Sequence, residues 1–280
     1  MIELGKKQVL YIRKIKNFGV YVADAEDTAG ENAVLLPGKY VPEGAAAGDG
    51  IEVFVYRDSS DRLVATTLTP ALTLGETAVL TVSDVGRIGA FLDWGLEKDL
   101  LLPFKEQVGE PLKRGDRCLV ALYIDKSRRL CATMKVYNYL RADSPYKTGD
   151  RVTAFVYQFH SRLGAFAAVD GKYHALLPKG KYHPQLKAGE EVSARVEKVR
   201  EDGRLTLTMS EPIREQMAID SAAVMALLDS YDGVLPFTEK ASPEVIQREL
   251  DMSKAAFKRA VGNLLKHRAI EIVDGKIRKI

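Results

Sequence analysis

Asn17-Phe18-Gly19-Val20-Tyr21-Val22 recurs as Arg87-Ile88-Gly89-Ala90-Phe91-Leu92 and once more as Arg162-Leu163-Gly164-Ala165-Phe166-Ala167. A glycine followed by an aromatic ring between two aliphatics reads as a short strand with one packed face and one outward face. Working outward from each copy, three further landmarks follow in a fixed order. An apolar run closes on Leu-Leu-Pro: Val34-Leu35-Leu36-Pro37, Leu100-Leu101-Leu102-Pro103 and Ala175-Leu176-Leu177-Pro178. A glycine and an acid then open a strand, at Gly48-Asp49, Gly115-Asp116 and Gly189-Glu190. A last strand begins Arg62-Leu63, Arg129-Leu130 and Arg204-Leu205. The prolines Pro37, Pro103 and Pro178 lie 66 and 75 residues apart, so the units are alike without being identical. Four landmarks aligned in three copies establish an internal repeat.

Each unit predicts five short strands. In the first they fall near 8–14, 18–23, 33–36, 51–57 and 63–68, with period-2 alternation in Val9-Leu10-Tyr11-Ile12 and Ile51-Glu52-Val53-Phe54. Five strands in about 70 residues, closed on themselves to remove sheet edges, have the size of an OB-type barrel. Lone copies have marginal cores, and three in series stabilise one another only by packing.

Beyond Pro212 the period changes from 2 to that of a helix. Met217 to Tyr231 carries one apolar stripe that ends at Asp232-Gly233, and Ser242-Pro243-Glu244 supplies N-cap and first-turn residues for a second helix. Ser253 caps a third helix with Phe257, Ala260, Val261, Leu264 and Leu265 on one face, and a hairpin turning at Asp274-Gly275 closes the chain. The expected class is therefore mainly β with a small α+β end. Three tandem five-stranded OB-type barrels (1–70, 71–142 and 143–212) precede a winged helix at 213–280.

Composition narrows the function. Apolar residues make up 46% and charged residues 28% of the 280, which is ordinary globular material. The net charge of +3 is uneven: residues 253–280 carry +6, leaving −3 on residues 1–252, and a basic end suits a polyanion. No apolar run is long enough for a membrane span, and the N-terminus lacks a secretory apolar stretch. The only cysteines, Cys118 and Cys131, fall out of register across a hairpin and read as two buried thiols of a reducing cytoplasm. Four histidines, two cysteines and no glycine-rich phosphate loop after a strand argue against an enzyme. His160, His174 and His183 are spaced by 14 and 9 with no cysteine among them, which fits no zinc finger; neither metal nor cofactor is expected.

The candidate contact residues are aromatic and basic. Alternation places Tyr21, Phe91 and Phe166 opposite their aliphatic neighbours, on the outside of each barrel, where an exposed ring stacks a base. The third unit interleaves Phe159, His160, Arg162, Tyr173, His174, Lys179 and Lys181, a basic-aromatic mixture suited to single strands. On the third helix, Arg259 and Lys266 project opposite the apolar stripe together with Ala255 and Gly262, and Lys254 opens the same helix.

The glycine-aromatic second strand, apolar third strand and closing Arg-Leu strand resemble the S-one domain, an RNA-binding OB repeat, over about residues 1–211. Three such units followed by a winged helix resemble the conserved virulence factor B family of bacteria, which implies an RNA-binding post-transcriptional regulator. In that family's domain, RNA is met by an aromatic before the glycine, the aromatic after it, a strand-three His, an Asp before the last turn and an Arg in strand five. Phe18 matches the first, but Ile88 and Leu163 replace it later. Leu36, Leu102 and Leu177 stand for the His; Asp58 and Asp125 fit the Asp, replaced by Arg200; Val64, Cys131 and Thr206 stand for the Arg. Single-stranded RNA is thus the expected partner, and the winged helix leaves duplex nucleic acid open as a second. A DNA-binding regulator acting through that winged helix and a protein-binding adaptor are the alternatives.

Overall fold

The computed structural model describes residues 1–58, 60–210 and 213–280, with the side chains of 213–216 left out. The first barrel comprises β1 (Lys7–Lys16), β2 (Gly19–Ala23), β3 (Val34–Pro37), β4 (Gly50–Arg57) and β5 (Leu63–Thr66). The second comprises β6 (Thr77–Val85), β7 (Gly89–Asp93), β8 (Leu100–Pro103), β9 (Arg117–Ile124) and β10 (Leu130–Thr133). The third comprises β11 (Arg151–His160), β12 (Gly164–Val169), β13 (Tyr173–Pro178), β14 (Glu191–Val199) and β15 (Leu205–Thr208). Strand order β1-β2-β3-β5-β4 closes the first barrel and β11-β12-β13-β15-β14 the third. The second keeps the order β8-β7-β6-β9-β10, but no ladder joins β8 to β10.

The repeated glycine has a steric cause. A Cβ at Gly164 would stand 2.2 Å from the Leu177 carbonyl oxygen, and those at Gly19 and Gly89 would stand 2.3 and 2.2 Å from the Leu36 and Leu102 oxygens. The third strand of each barrel crosses so close to the second that only glycine fits. On either side the aliphatics enter the core: Val20 and Val22, Ala90 and Leu92, and Ala165 and Ala167 are all buried. A bulge interrupts the first strand of every barrel, between Ile12 and Lys14, Val82 and Asp84, and Val156 and Gln158. Such a bulge bends one strand so that it can pair on both sides of a small barrel.

The barrels pack into one compact unit, Met1–Met209. Phe54 of the first barrel is buried with Leu72, Trp94 and Leu122, its ring 5.7 Å from that of Trp94 in an edge contact. An Arg129–Asp61 ion pair, Lys39–Glu97 and a 3.1 Å hydrogen bond from Arg57 Nε to the Arg128 carbonyl join the same two barrels. Leu119, Ala121, Val136, Phe155 and Tyr157 form a separate apolar contact between the second and third barrels. Thr77 Oγ1 donates to the Gly171 carbonyl at 2.7 Å beside it.

The second compact unit, Ser210–Ile280, holds α1 (Ile213–Ser230), β16 (Val234–Leu235), α2 (Pro243–Leu250), α3 (Lys254–Lys266), β17 (Ile270–Val273) and β18 (Lys276–Lys279). Its core gathers Val224, Leu228, Leu235, Ile246, Phe257 and Ile277. Ser242 and Ser253 cap α2 and α3 by accepting from the Val245 and Ala256 amides. The sheet has three strands, β16-β18-β17; β16 spans only two residues, too few for a periodic signal. The sequence boundary at Pro212 lies outside the described residues. No helix among the described residues is long and apolar enough to cross a membrane.

Candidate nucleic-acid interface

The outer face of each barrel repeats one row of side chains. Register pairs Tyr21 with Leu35, Phe91 with Leu101 and Phe166 with Leu176. At the turn beside each row an apolar residue is held out in solvent: Phe18 is 54% exposed, Ile88 60% and Leu163 49%. Backbone hydrogen bonds latch these turns to the next loop, from Gly38 N to Phe18 O, Phe104 N to Ile88 O and Lys179 N to Leu163 O. Equivalent positions differ in charge, because Lys14, Asp84 and Gln158 stand beside the three aromatics. The same place in the row thus carries a cation on the first barrel and an anion on the second.

Coverage also differs. On the first barrel Phe18 meets only the edge of Tyr21, at 6.4 Å, with Lys14 and Lys16 exposed alongside. On the second, Phe91 lines a cleft whose far wall comes from the first barrel. On the third, Phe166 stacks on Tyr157 at 6.3 Å and meets the edges of Tyr137 and His160. Phe166 is thus outward in register yet half-buried, covered by Tyr137 from the segment leaving the second barrel.

Two residues read as contacts are covered, His174 almost fully and Tyr173 on one side. His174 has the outward parity of Leu176, but only 8% of it is exposed, because its ring lies 4.8 Å from Tyr137. Burial, and then the Arg204 guanidinium, lower its pKa, which favours the neutral ring. Arg204 also donates to the Tyr137 hydroxyl at 2.7 Å, fixing that cover in place. Tyr173 is capped by the Arg141 guanidinium, 5.6 Å from its centroid, leaving no open ring face on that side.

The rim of the third barrel remains open. Phe159 is 39% exposed, with Tyr182 against it at 5.9 Å. His160 is exposed, and its Nδ1 accepts from the Arg162 and Leu163 amides at 3.2 and 3.3 Å, shaping the turn. Arg162 and Lys179 are exposed and make no ion pair among the described residues, whereas Lys181 is tied to Glu197 at 2.8 Å. Asp58 and Asp125 accept from backbone amides of their own hairpin turns, and this local role explains them fully. In the second compact unit, Lys254, Arg259, Gly262 and Lys266 are exposed on α3, and the three cations make no ion pair among the described residues.

The thiols are inert. Cys118 and Cys131 are free and buried, and desolvation pushes them up to about 12 and about 11, so neither is a thiolate near neutral pH. Among the described residues no three His, Cys, Asp or Glu side chains converge on a metal-sized site.

Residues 4–68 and 74–135 match the S1 domain model, and residues 222–278 match the CvfB-like winged helix domain. The third barrel, with the same strand order, lies outside the matched spans. A conserved virulence factor B of Staphylococcus saprophyticus is 31% identical over 82% of this chain and 79% of its own length. This chain belongs to the conserved virulence factor B family. An uncharacterized protein of Bacillus subtilis, YitL, is 29% identical over 94% of this chain and 89% of its own length. A crystal structure from Streptococcus pneumoniae, described as a multidomain protein with nucleic acid binding domains, covers 99% of this chain and 98% of its own, at a TM-score of 0.54 and 22% identity. That likeness supports the fold. The matched models are of nucleic-acid-binding domain types, and none is catalytic.

Proposed function

We propose that this member of the family is a non-catalytic regulator that binds single-stranded RNA on its barrels and acts after transcription. One observation carries the reading: Phe18 on the first barrel and Phe159 on the third stand in solvent, and the same barrels expose Lys14, Lys16, Arg162 and Lys179, which make no ion pair among the described residues. A base stacked on such a ring gains about 1–3 kcal/mol, and cations on the same barrel favour a partner with a charged backbone. Single strands present both. Phe91, Lys254, Arg259 and Lys266 join the proposed contact set, with α3 adding charge that strengthens attachment without reading sequence.

The barrels and the winged helix form separate compact units, so the two binding modes can be assayed apart. A fragment ending at Ser210 is expected to keep most of the single-stranded RNA affinity of the whole chain. The winged-helix fragment is expected to bind RNA and DNA weakly, without base preference. Paired titrations at one salt concentration check this. Sequence-selective duplex DNA binding by the winged-helix fragment, with inert barrels, would establish the DNA-regulator reading instead.

A further inference from the structure

A cleft of about 180 Å³ lies where the second barrel packs against the first, beside the one seam in which no ladder forms. In the first barrel Leu35 pairs with Val64 across the seam, and in the third Leu176 pairs with Thr206. Their counterparts, Leu101 and Cys131, form no such ladder, and both line the cleft.

The remaining walls are aromatic and polar. Phe91 comes from the second barrel and Tyr56 from the first, and Trp94 lines the same space. The Trp94 indole N–H donates to the Lys98 carbonyl at 2.6 Å, which fixes that wall. Gly86 keeps the Phe91 ring where it is, since a Cβ there would come within 2.9 Å of it. Asp99 accepts from Ser83 Oγ at 2.6 Å through one carboxylate oxygen; no side-chain hydrogen bond to the other oxygen is formed among the described residues. Arg57 and Lys98 bring positive charge to the lining. Drug-sized ligands need roughly 300 Å³ or more and a water about 30 Å³, so the space suits one flat ring system.

We propose that this cleft receives one amino-bearing nucleobase of a bound RNA strand. The ring lies against Phe91 and Tyr56, and the amino group donates to Asp99. The proposal rests on the single-stranded RNA reading and adds to it a base-selective subsite built by two barrels together.

Trp94 is the only tryptophan of the chain, so its fluorescence reports occupancy directly. The full chain is titrated with labelled oligocytidylate and oligouridylate RNA, following label polarisation and Trp94 emission together. Oligocytidylate is expected to change Trp94 emission and to bind several-fold more tightly than oligouridylate. Leu101→Phe, which fills the cleft, is expected to abolish the emission change and weaken oligocytidylate binding roughly tenfold, as loss of one stacked base does. Asp99→Asn, which can also donate to uracil, is expected to remove the preference for cytosine. This second variant carries the test if Leu101→Phe fails to fold. Polarisation showing RNA bound while Trp94 stays silent and both variants behave as wild type overturns the cleft alone. No polarisation change with either RNA overturns the cleft and the RNA reading together.

Discussion

Gly164→Ala is expected to destabilise the third barrel by about 2–5 kcal/mol, the sum of a left-handed backbone penalty of about 1–2 and an overpacking cost of about 1–3. The backbone at Gly164 has φ +123°, and an added Cβ would lie 2.2 Å from the Leu177 oxygen and 2.8 Å from the Lys179 nitrogen. Neither atom can move without breaking the pairing of β12 with β13, where Gly164 faces Pro178. Against a usual total stability of about 5–15 kcal/mol, this loss is large. Gly262→Ala supplies the opposite sign. A Cβ there meets nothing within 4 Å, and α3 gains about 1 kcal/mol of helix propensity. Urea denaturation of the full chain, followed barrel by barrel through hydrogen exchange, checks both. A Gly164→Ala protein within 1 kcal/mol of the parent would show that the close strand crossing does not dictate the repeated glycine.

The Phe18→Ala, Phe159→Ala double variant is expected to lose about 30-fold to 20,000-fold in single-stranded RNA affinity. Each stacked base is worth about 1–3 kcal/mol, and side chains on different barrels with no shared partners add. The two rings are 54% and 39% exposed, so removing them leaves the barrel cores intact. Thermal unfolding should stay near that of the parent while polarisation titrations with labelled RNA shift. Phe166→Ala is the informative contrast. That ring packs on Tyr157 and under Tyr137, so its loss should appear first as lower stability at the junction of the second and third barrels. A double variant with unchanged affinity would place RNA elsewhere on the chain.

The repeat made the barrels legible because a steric necessity wrote it. Gly19, Gly89 and Gly164 each sit under a carbonyl, and the aliphatics beside them alternate into the core. The third helix was nearly as readable: Phe257, Ala260, Val261 and Leu264 are buried, but Leu265, read on the same face, is 38% exposed at its edge. What escaped depends on contacts between units. The sequence Leu100-Leu101-Leu102-Pro103 looks like its counterparts, yet the strand it forms makes no ladder with β10. Tyr137 lies in a connecting segment with no motif of its own, yet it covers Phe166 and His174. Outward parity therefore located these side chains on the right face without revealing that a neighbouring segment lies over them. Lys14 was missed because the bulge beside it resets alternation, bringing it next to Tyr21.

The central claim is that exposed rings and cations on the same barrels bind single-stranded RNA. Its most direct test is the affinity of the full chain for one RNA sequence, as a single strand and as a duplex, at about 50 and 200 mM salt, a range over which phosphate contacts weaken strongly. Base stacking needs unpaired bases and is little screened, whereas phosphate attraction is shared by both forms. The single strand is expected to bind more tightly at both salt concentrations, and its advantage should persist or grow as salt rises. A duplex that binds as tightly as the single strand, or a preference that vanishes at the higher salt, would contradict the account.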